Sequence, residues 1–172
     1  MAEISWQETV FDTIKTSGIE LIAYVPDAGH STLIEKSKND LEIVDVVLTT
    51  EEEGVALCTG AWLGGKKSAL LMQSSGVGNC INMFSLQRNT RTPLVVLVTM
   101  RGEYAELNPW QIPMGTTTEQ VLKLCNFQVY RVDKAEEATE TVQAAIDMAY
   151  SSNIAIAVLL SQKLLGRKEW VK

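Results

Sequence analysis

Short apolar runs alternate with segments whose apolar residues recur at helical spacing along the chain. Six of the apolar runs have the length and the β-branched composition of strands. They are ELIAYVP (20–26), EIVDVVLT (42–49), SALLMQ (68–73), PLVVLVTM (93–100), FQVYRV (127–132) and IAIAVLL (154–160). Helices between strands imply crossover connections, so the pattern predicts an α/β fold. We expect a three-layer, doubly wound sheet of about six mostly parallel strands, covered on both faces.

Capping residues and glycines predict where the helices begin and end. A helix over 8–18 ends at Gly18, and further helices cover 31–40, 80–89 and 135–152. Thr50 with Glu53, and Thr116 with Glu119, have the spacing of capping boxes, which predicts helix starts at both places. The fifteen residues 101–115 (RGEYAELNPWQIPMG) have no clear periodicity, and a loop of that length in a compact protein is typical of a functional segment.

Length and charge limit the classes of function. The 172 residues are enough for one domain, 1–172, with a substantial core. The net charge of −6, without a basic stripe, argues against nucleic-acid binding. No apolar run is long enough to span a membrane, and the first residues lack the pattern of a signal peptide. We therefore expect a cytoplasmic protein that binds neither nucleic acid nor membranes.

The number and surroundings of the cysteines also favour a cytoplasmic location. Cys58, Cys80 and Cys125 are odd in number, widely spaced and surrounded by apolar residues. They are predicted to be buried thiols in a reducing compartment, rather than a disulfide framework or a metal site.

Unusual polar groups follow four of the predicted strands. These segments are VPDAGH (25–30), TTEEEG (49–54), MQSSGVGN (72–79) and TMRGEY (99–104). Ligands of parallel sheets bind beyond the carboxyl ends of the strands, so the four segments are expected to converge on one site.

Each of these groups has a structural explanation as well as a functional one. Acidic residues at 51–53 complement a helix dipole, but the small apolar residues that follow predict burial against another layer or subunit, with one carboxylate held inside. The segment 72–79 lacks the lysine of a P-loop, and a tight strand-to-helix turn explains it equally. His30, the only histidine, is either an ordinary core or surface residue or a site residue. Arg101 pairs either with a ligand anion or with a carboxylate such as Glu103 or Glu106.

The order of these segments resembles the pyrimidine-binding domain of thiamine-diphosphate enzymes. A strand is followed by a glutamate, by a glycine nine residues later in a small-residue helix, and then by a Gly-Lys turn, a strand and SSGVGN. Counting back nine residues from Gly60 selects Glu51. The segments MQSSGVGN, PLVVLVTMRGE and NPWQIPMG are similar to the branch that contains sulfopyruvate and phosphonopyruvate decarboxylases, and the resemblance extends from Trp6 to Leu165.

The resemblance implies that Glu51 hydrogen-bonds a ring nitrogen of the aminopyrimidine of thiamine diphosphate and promotes its activation. It makes Glu51 and His30 the candidate catalytic residues. Together with the strand-end argument, it predicts contacts to the cofactor and to the substrate. Cofactor contacts are expected from Glu51, Pro26, Gln73, Gly76, Gly78 and Asn79, and substrate contacts from Asp27, Gln73 and Arg101.

The family also has a second domain, with a Gly-Asp-Gly turn that binds Mg²⁺ and the diphosphate, and this sequence contains no Gly-Asp-Gly. The expectation is therefore an alpha subunit without a metal site, active in a hetero-oligomer whose beta subunit holds Mg²⁺. The expected reaction is decarboxylation of a small anionic 2-oxo acid, 3-sulfopyruvate to sulfoacetaldehyde and CO2. The alternatives are phosphonopyruvate or another 2-oxo acid, or a subunit that binds a ligand without catalysis.

Overall fold

The computed structural model describes residues 5–166, and residues 1–4 and 167–172 lie outside the described part. One sheet of six strands has the order β2-β1-β3-β4-β6-β5, and every neighbouring pair is parallel. The strands are β1 (Ile19–Tyr24), β2 (Val44–Val47), β3 (Lys67–Gln73), β4 (Leu94–Thr99), β5 (Gln128–Val132) and β6 (Ala155–Leu160). The predicted α/β architecture with a parallel six-stranded sheet is confirmed.

Helices connect the strands and cover the sheet. They are α1 (Trp6–Thr16), α2 (Ser31–Asn39), α3 (Glu51–Leu63), α4 (Ser74–Cys80), α5 (Phe84–Thr90), α6 (Ile112–Leu124), α7 (Ala135–Ser152) and α8 (Gln162–Leu165). Two 3-10 turns, Ala28–His30 and Pro109–Gln111, precede α2 and α6. Within residues 5–166, none of the helices combines the length and the apolarity that crossing a membrane requires.

The core consists of two apolar layers, one on each face of the sheet. Every residue of β4 is buried, and its side chains alternate: Val95 and Leu97 belong to one layer, and Val96 and Val98 to the other. Helices α1, α2 and α7 complete the first layer, and α3 to α6 complete the second. This burial on both faces explains why the central strands are continuous apolar runs.

The strand order reverses at two places, and both lie beside the candidate residues. The chain passes from β1 outwards to β2 and returns to pair β3 with the other side of β1. A second reversal occurs between β4 and β6, because β5 lies outside β6. Crevices at the carboxyl ends of strands form at such points, which is where ligands bind in open α/β sheets.

Helix α3 packs closely on the sheet, and glycine makes this possible at its buried face. A Cβ on Gly54 would come within 2.8 Å of the Leu48 side chain and closer still to that of Leu70. Gly60, on the outward face of the same helix, is exposed, and apart from its neighbours in the chain and the nearby backbone of α3, no heavy atom of residues 5–166 lies within 4 Å of its Cβ position. On the buried face of α3, a small residue is therefore required by packing within this chain. On the outward face, residues 5–166 impose no such requirement.

Several predicted boundaries were wrong. The single helix expected over 80–89 is two short helices, and the first of them, α4, begins directly at Ser74 after β3. Helix α6 begins at Ile112, with Pro113 in its first turn, so the loop is shorter than expected and Thr116 lies inside the helix. The Thr116 hydroxyl donates to the carbonyls of Ile112 and Pro113 rather than capping a helix. Proline near a helix start outweighed the capping-box pattern.

The capping box predicted at α3 is incomplete. Thr50 occupies the N-cap position, but its side chain makes no capping hydrogen bond. The Glu53 carboxylate accepts from the backbone N–H of Thr49 (2.9 Å). Glu53 therefore does satisfy a backbone N–H at the start of α3, but the donor is Thr49 rather than the predicted Thr50.

All three cysteines are free thiols, as predicted. Cys58 and Cys80 are buried, whereas Cys125 is only partly buried. Burial raises the pKa of the Cys58 thiol to about 11 and that of Cys80 to about 12, where the charges of Glu51 and Glu52 contribute to the rise. Neither of these two thiols is a nucleophile near neutral pH.

Candidate active site

Glu51, the first residue of α3, is held inside the protein. It is 8% exposed, whereas Glu52 and Glu53 face solvent. The side-chain amide of Asn79 on α4 donates to Glu51 Oε2 over 2.8 Å. The backbone of Gly76 lies against the same carboxylate, since a Cβ at position 76 would sit 2.5 Å from Glu51 Cδ and Oε1. Any larger residue at 76 would displace the carboxyl group.

The second oxygen of the carboxylate, Oε1, accepts no hydrogen bond from any side chain or backbone N–H of residues 5–166. A carboxylate oxygen can accept two hydrogen bonds, so half of this group remains available to a ligand N–H. The start of α3 therefore presents an anchored, largely buried acceptor at the edge of the protein where the strand ends meet.

Asp27 joins the ends of three strands. Its Oδ1 accepts from the Gln73 amide (2.9 Å), at the end of β3. Its Oδ2 accepts from the Thr99 hydroxyl (2.7 Å), at the end of β4, and from the backbone N–H of Gly29 (3.1 Å). Three of the four strand ends predicted to converge meet here, at the first reversal of strand order, whereas the segment 49–54 after β2 contacts α4 through Glu51. Sequence reasoning missed Thr99, whose hydroxyl at the end of an apolar strand was the available indication.

His30 lies beneath this cluster and is fully buried. Its Nε2 is 3.2 Å from the carbonyl oxygen of Met72 and 3.1 Å from that of Leu97, so the Nε2–H tautomer donates to both strands. Nδ1 has no partner among the described residues. Burial lowers the pKa of His30 and keeps the ring neutral. Full burial and the two carbonyl contacts favour a core role for His30, and its catalytic role stays a prediction.

Arg101, just beyond β4, is paired with a carboxylate of its own loop. Its Nε and Nη2 donate to Glu106 Oε2 and Oε1, each over 2.7 Å. The guanidinium lowers the pKa of Glu106 to about 2, and the carboxylate raises that of Arg101. Glu103, the other candidate partner, instead pairs with Arg131 (2.7 Å).

Glu106 also organises the loop between β4 and α6. It accepts from the backbone N–H groups of Gly102 (3.2 Å) and Asn108 (2.9 Å), and from the Gln162 amide (2.9 Å) at the start of α8. Loop 101–111 is therefore tied to the end of β6. The sequence did not reveal this role of Glu106 or Gln162, because both depend on contacts between distant segments.

A cavity of about 180 Å³ lies between these groups. It is open on one side and combines a carboxylate, a hydroxyl and a guanidinium with apolar atoms. Its lining consists of Asp27, Ala28, Gly29, Thr99, Arg101, Gln162, Leu165 and Gly166. Asp27 and Arg101, two of the residues predicted to contact a substrate, thus border one space.

Pro26 and Gly78 are the other two residues predicted to contact the cofactor. Pro26 is exposed beside Asp27. Gly78 lies under α6, where a Cβ would be 3.2 Å from Met114 Sδ. Within residues 5–166, no group of three or more His, Cys, Asp or Glu side chains is arranged to hold a metal ion.

No family model matches the chain. Individual proteins do. The sulfopyruvate decarboxylase alpha subunits of Methanocaldococcus jannaschii and Methanococcus maripaludis are 36% and 35% identical to it, over 87% and 89% of this chain and 89% and 92% of their own lengths. Phosphonopyruvate decarboxylase of Streptomyces viridochromogenes is 33% identical over 74% of this chain, a match that spans 33% of that longer enzyme.

The fold is also found in a solved structure. A 2-oxoglutarate:ferredoxin oxidoreductase from Magnetococcus marinus superposes with a TM-score of 0.72, over 96% of this chain and 31% of the other, at 13% identity. That likeness concerns the fold alone. Since the alpha subunits match in sequence across nearly their whole length, the chain belongs to the family of sulfopyruvate decarboxylase alpha subunits.

Proposed function

We propose that this chain is the pyrimidine-binding alpha subunit of a heteromeric, thiamine-diphosphate-dependent decarboxylase that converts 3-sulfopyruvate to sulfoacetaldehyde and CO2. Family membership supports the reaction. The observation that carries the site is Glu51, a largely buried carboxylate with one oxygen anchored by Asn79 and the other available.

The residues present fit the aminopyrimidine of thiamine diphosphate. A carboxylate with a free oxygen accepts a hydrogen bond from a protonated ring nitrogen. Gly76, which has no side chain, packs closely against the carboxyl carbon and Oε1 of Glu51 and so restricts the carboxyl group. When bound, thiamine diphosphate supplies a carbon nucleophile and then an electron sink for decarboxylation.

The protein's own part in this reaction is positioning and proton handling. Glu51 holds a proton shared with the ring nitrogen, in a place where partial burial strengthens the hydrogen bond. Asp27, fixed by Gln73 and Thr99, contributes a carboxylate at the border of the cavity. The beta subunit is proposed to contribute the Mg²⁺ and diphosphate site, and the hetero-oligomer to complete the active centre.

Arg101 is the proposed contact for the second anionic group of the substrate. Two of its nitrogens are engaged by Glu106, and Nη1 makes no hydrogen bond within the described residues. Glu106 neutralises the guanidinium and Asp27 adds a negative charge to the same border, so a sulfonate would bind through a directed hydrogen bond rather than through net positive charge.

Co-production with the beta subunit tests the proposal. The purified complex, supplied with thiamine diphosphate and Mg²⁺, is expected to release CO2 from 3-sulfopyruvate faster than from phosphonopyruvate or pyruvate. Glu51→Gln is expected to remove nearly all activity, because the amide cannot hold the shared proton. Glu52→Gln, next to it and exposed, is the matched control and should retain most of the activity.

Other outcomes distinguish the alternatives. Preference for phosphonopyruvate would assign the chain to the related decarboxylases. Absence of CO2 release from every 2-oxo acid, with an assembled complex, would favour a subunit that binds a ligand without catalysis. Loss of activity in Glu52→Gln but not in Glu51→Gln would show that the wrong glutamate has been selected.

A further inference from the structure

We infer that Asn79 is the residue that positions the Glu51 carboxylate, and that it acts on Glu51 rather than by contacting the cofactor. This assignment rests on the proposed function, since Glu51 is the group it serves. It replaces the direct cofactor contact that the sequence suggested for Asn79.

The contact between the two residues is specific. Asn79 Nδ2 donates to Glu51 Oε2 over 2.8 Å, a normal length for an amide-to-carboxylate hydrogen bond. No other side chain or backbone N–H of residues 5–166 donates to the Glu51 carboxylate. The orientation of this carboxylate therefore depends on one hydrogen bond and on the packing of its Cγ, Cδ and Oε1 atoms against Gly76.

The two contacts come from one helix. Gly76 and Asn79 are three residues apart on α4, so they share a face and approach Glu51 together. Gly76 packs against the carboxyl carbon and Oε1, and Asn79 holds Oε2 by a hydrogen bond. The remaining oxygen, Oε1, is then left for the ligand.

The chemistry of an amide suits this role. Asn79 carries no charge and keeps its N–H donors at every pH at which the protein is folded, so it fixes Glu51 without competing for the shared proton. Aspartate has nearly the same shape, but it has no donor when ionised and would place a second negative charge beside the first. Glu51 and Glu52 both lie close enough to Cys80 on α4 to raise the pKa of its thiol, which stays protonated at neutral pH.

The hydrogen bond can be detected without any activity. In the full chain, the side-chain NH2 resonances of Asn79, identified with Asn79→Ala, should shift in Glu51→Gln and stay unchanged in Glu52→Gln. Resonances that do not respond to Glu51→Gln would overturn the contact. This measurement tests the hydrogen bond even if the assembled complex decarboxylates no 2-oxo acid. Absence of decarboxylation would reject only the proposed function.

The assembled complex tests the consequence. At saturating thiamine diphosphate, Asn79→Ala is expected to lower kcat for 3-sulfopyruvate about 10- to 100-fold, with KM changed less than about 3-fold. Asn79→Asp should be at least as impaired at neutral pH and should recover as the pH is lowered, when the new carboxyl group takes up a proton and can donate. A residue that only fills space would tolerate this substitution at every pH.

Asn89→Ala on α5, at an exposed position, is the control and should match the wild type. Wild-type kcat in both Asn79 variants would overturn the inference. The inference would also be overturned if the Asn79 variants bound the cofactor more weakly but kept the wild-type kcat at saturating cofactor, because a direct cofactor contact gives that pattern.

Discussion

Arg101 and Glu106 form a two-point ion pair, with both N–H···O distances at 2.7 Å, at the mouth of the cavity beyond β4. The Glu106 side chain is 4% exposed, and it also accepts hydrogen bonds from two backbone N–H groups and from Gln162. The pair therefore holds loop 101–111 to α8, and Arg101 also lines the cavity. Experiments can separate the support that the pair gives to the loop from the proposed contact of Arg101 with the substrate.

Glu106→Gln should lower the free energy of unfolding by about 2 kcal/mol at pH 7, since it removes the charge from several hydrogen bonds. The folded pKa of Glu106 is lowered from 4.5 to about 2, so the ionised group contributes stability above about pH 4.5. That contribution is lost as the pH falls from about 4.5 towards 2, and the wild type and the variant should converge there. Urea unfolding at pH 7, 5 and 3 measures the difference.

The control for this experiment is Glu119→Gln. Glu119 pairs with Lys123 on the exposed face of α6, and the effect should be at most about 0.5 kcal/mol. A Glu106→Gln difference that stays constant down to pH 3 would show that packing, rather than charge, is responsible.

Arg101→Lys distinguishes anion recognition from loop support. Lysine keeps the positive charge but cannot pair with Glu106 at two points and still offer a directed donor to the cavity. The specificity constant for 3-sulfopyruvate should fall about 10- to 100-fold more than that for pyruvate, which has no second anionic group. Steady-state kinetics of the assembled enzyme on both substrates give the comparison, and equal losses would leave Arg101 with a supporting role only.

His30 should make stability depend on pH below about 6.5. Its folded pKa is lowered, so only the unfolded chain takes up a proton as the pH falls past 6.5. Stability is then fully present above about pH 6.5 and decreases below it, by up to about 1.4 kcal/mol per pH unit. His30 is the only histidine, so His30→Gln should remove this dependence between pH 6.5 and 5.

Measurement of turnover distinguishes a structural role of His30 from a catalytic one. If the ring only joins β3 and β4, His30→Gln should keep its activity per folded molecule while its melting temperature at pH 7 falls. A large loss of kcat in a fully folded variant would restore the predicted catalytic role.

Gly60→Ala should stabilise the isolated chain and weaken the complex. Apart from the adjacent residues and the nearby backbone of α3, nothing in residues 5–166 lies within 4 Å of the new methyl group. Alanine in a helix interior is favoured over glycine by about 0.5–1 kcal/mol. If the outer face of α3 contacts the beta subunit, the same methyl group interferes with close packing. Thermal unfolding of the chain and sedimentation of the complex report the two effects.

Gly54→Ala on the opposite face of α3 provides the comparison. Its methyl group would clash with Leu48 and Leu70, so it should destabilise the isolated chain by about 1–3 kcal/mol. Unchanged assembly in Gly60→Ala would exclude close contact of the beta subunit with this part of α3.

The sequence by itself determined the fold, because the fold depends on local pattern. Continuous apolar runs such as 94–99 are possible only where both faces of a strand are buried, and the alternation with helices required parallel pairing. The choice of Glu51 over Glu52 and Glu53 came from the glutamate-to-glycine spacing of the family that the sequence resembles, and Glu51 is the one that is buried. The helix boundaries near Ser74 and Ile112 were predicted less well, since competing local signals overlap there.

Only the tertiary structure decided which polar groups meet. The side chains that hold Asp27 lie 46 and 72 positions away from it in the chain. The partner of Glu51 is 28 positions away and those of His30 are 42 and 67 positions away, so no short spacing in the chain encodes these contacts. The choice of Glu106 rather than Glu103 for Arg101 depends on the turn of loop 101–111 and on Gln162 beyond β6. Hydrogen bonds of this kind require donor and acceptor within about 3 Å, and such distances are fixed when the two layers pack on the sheet rather than by the order of residues.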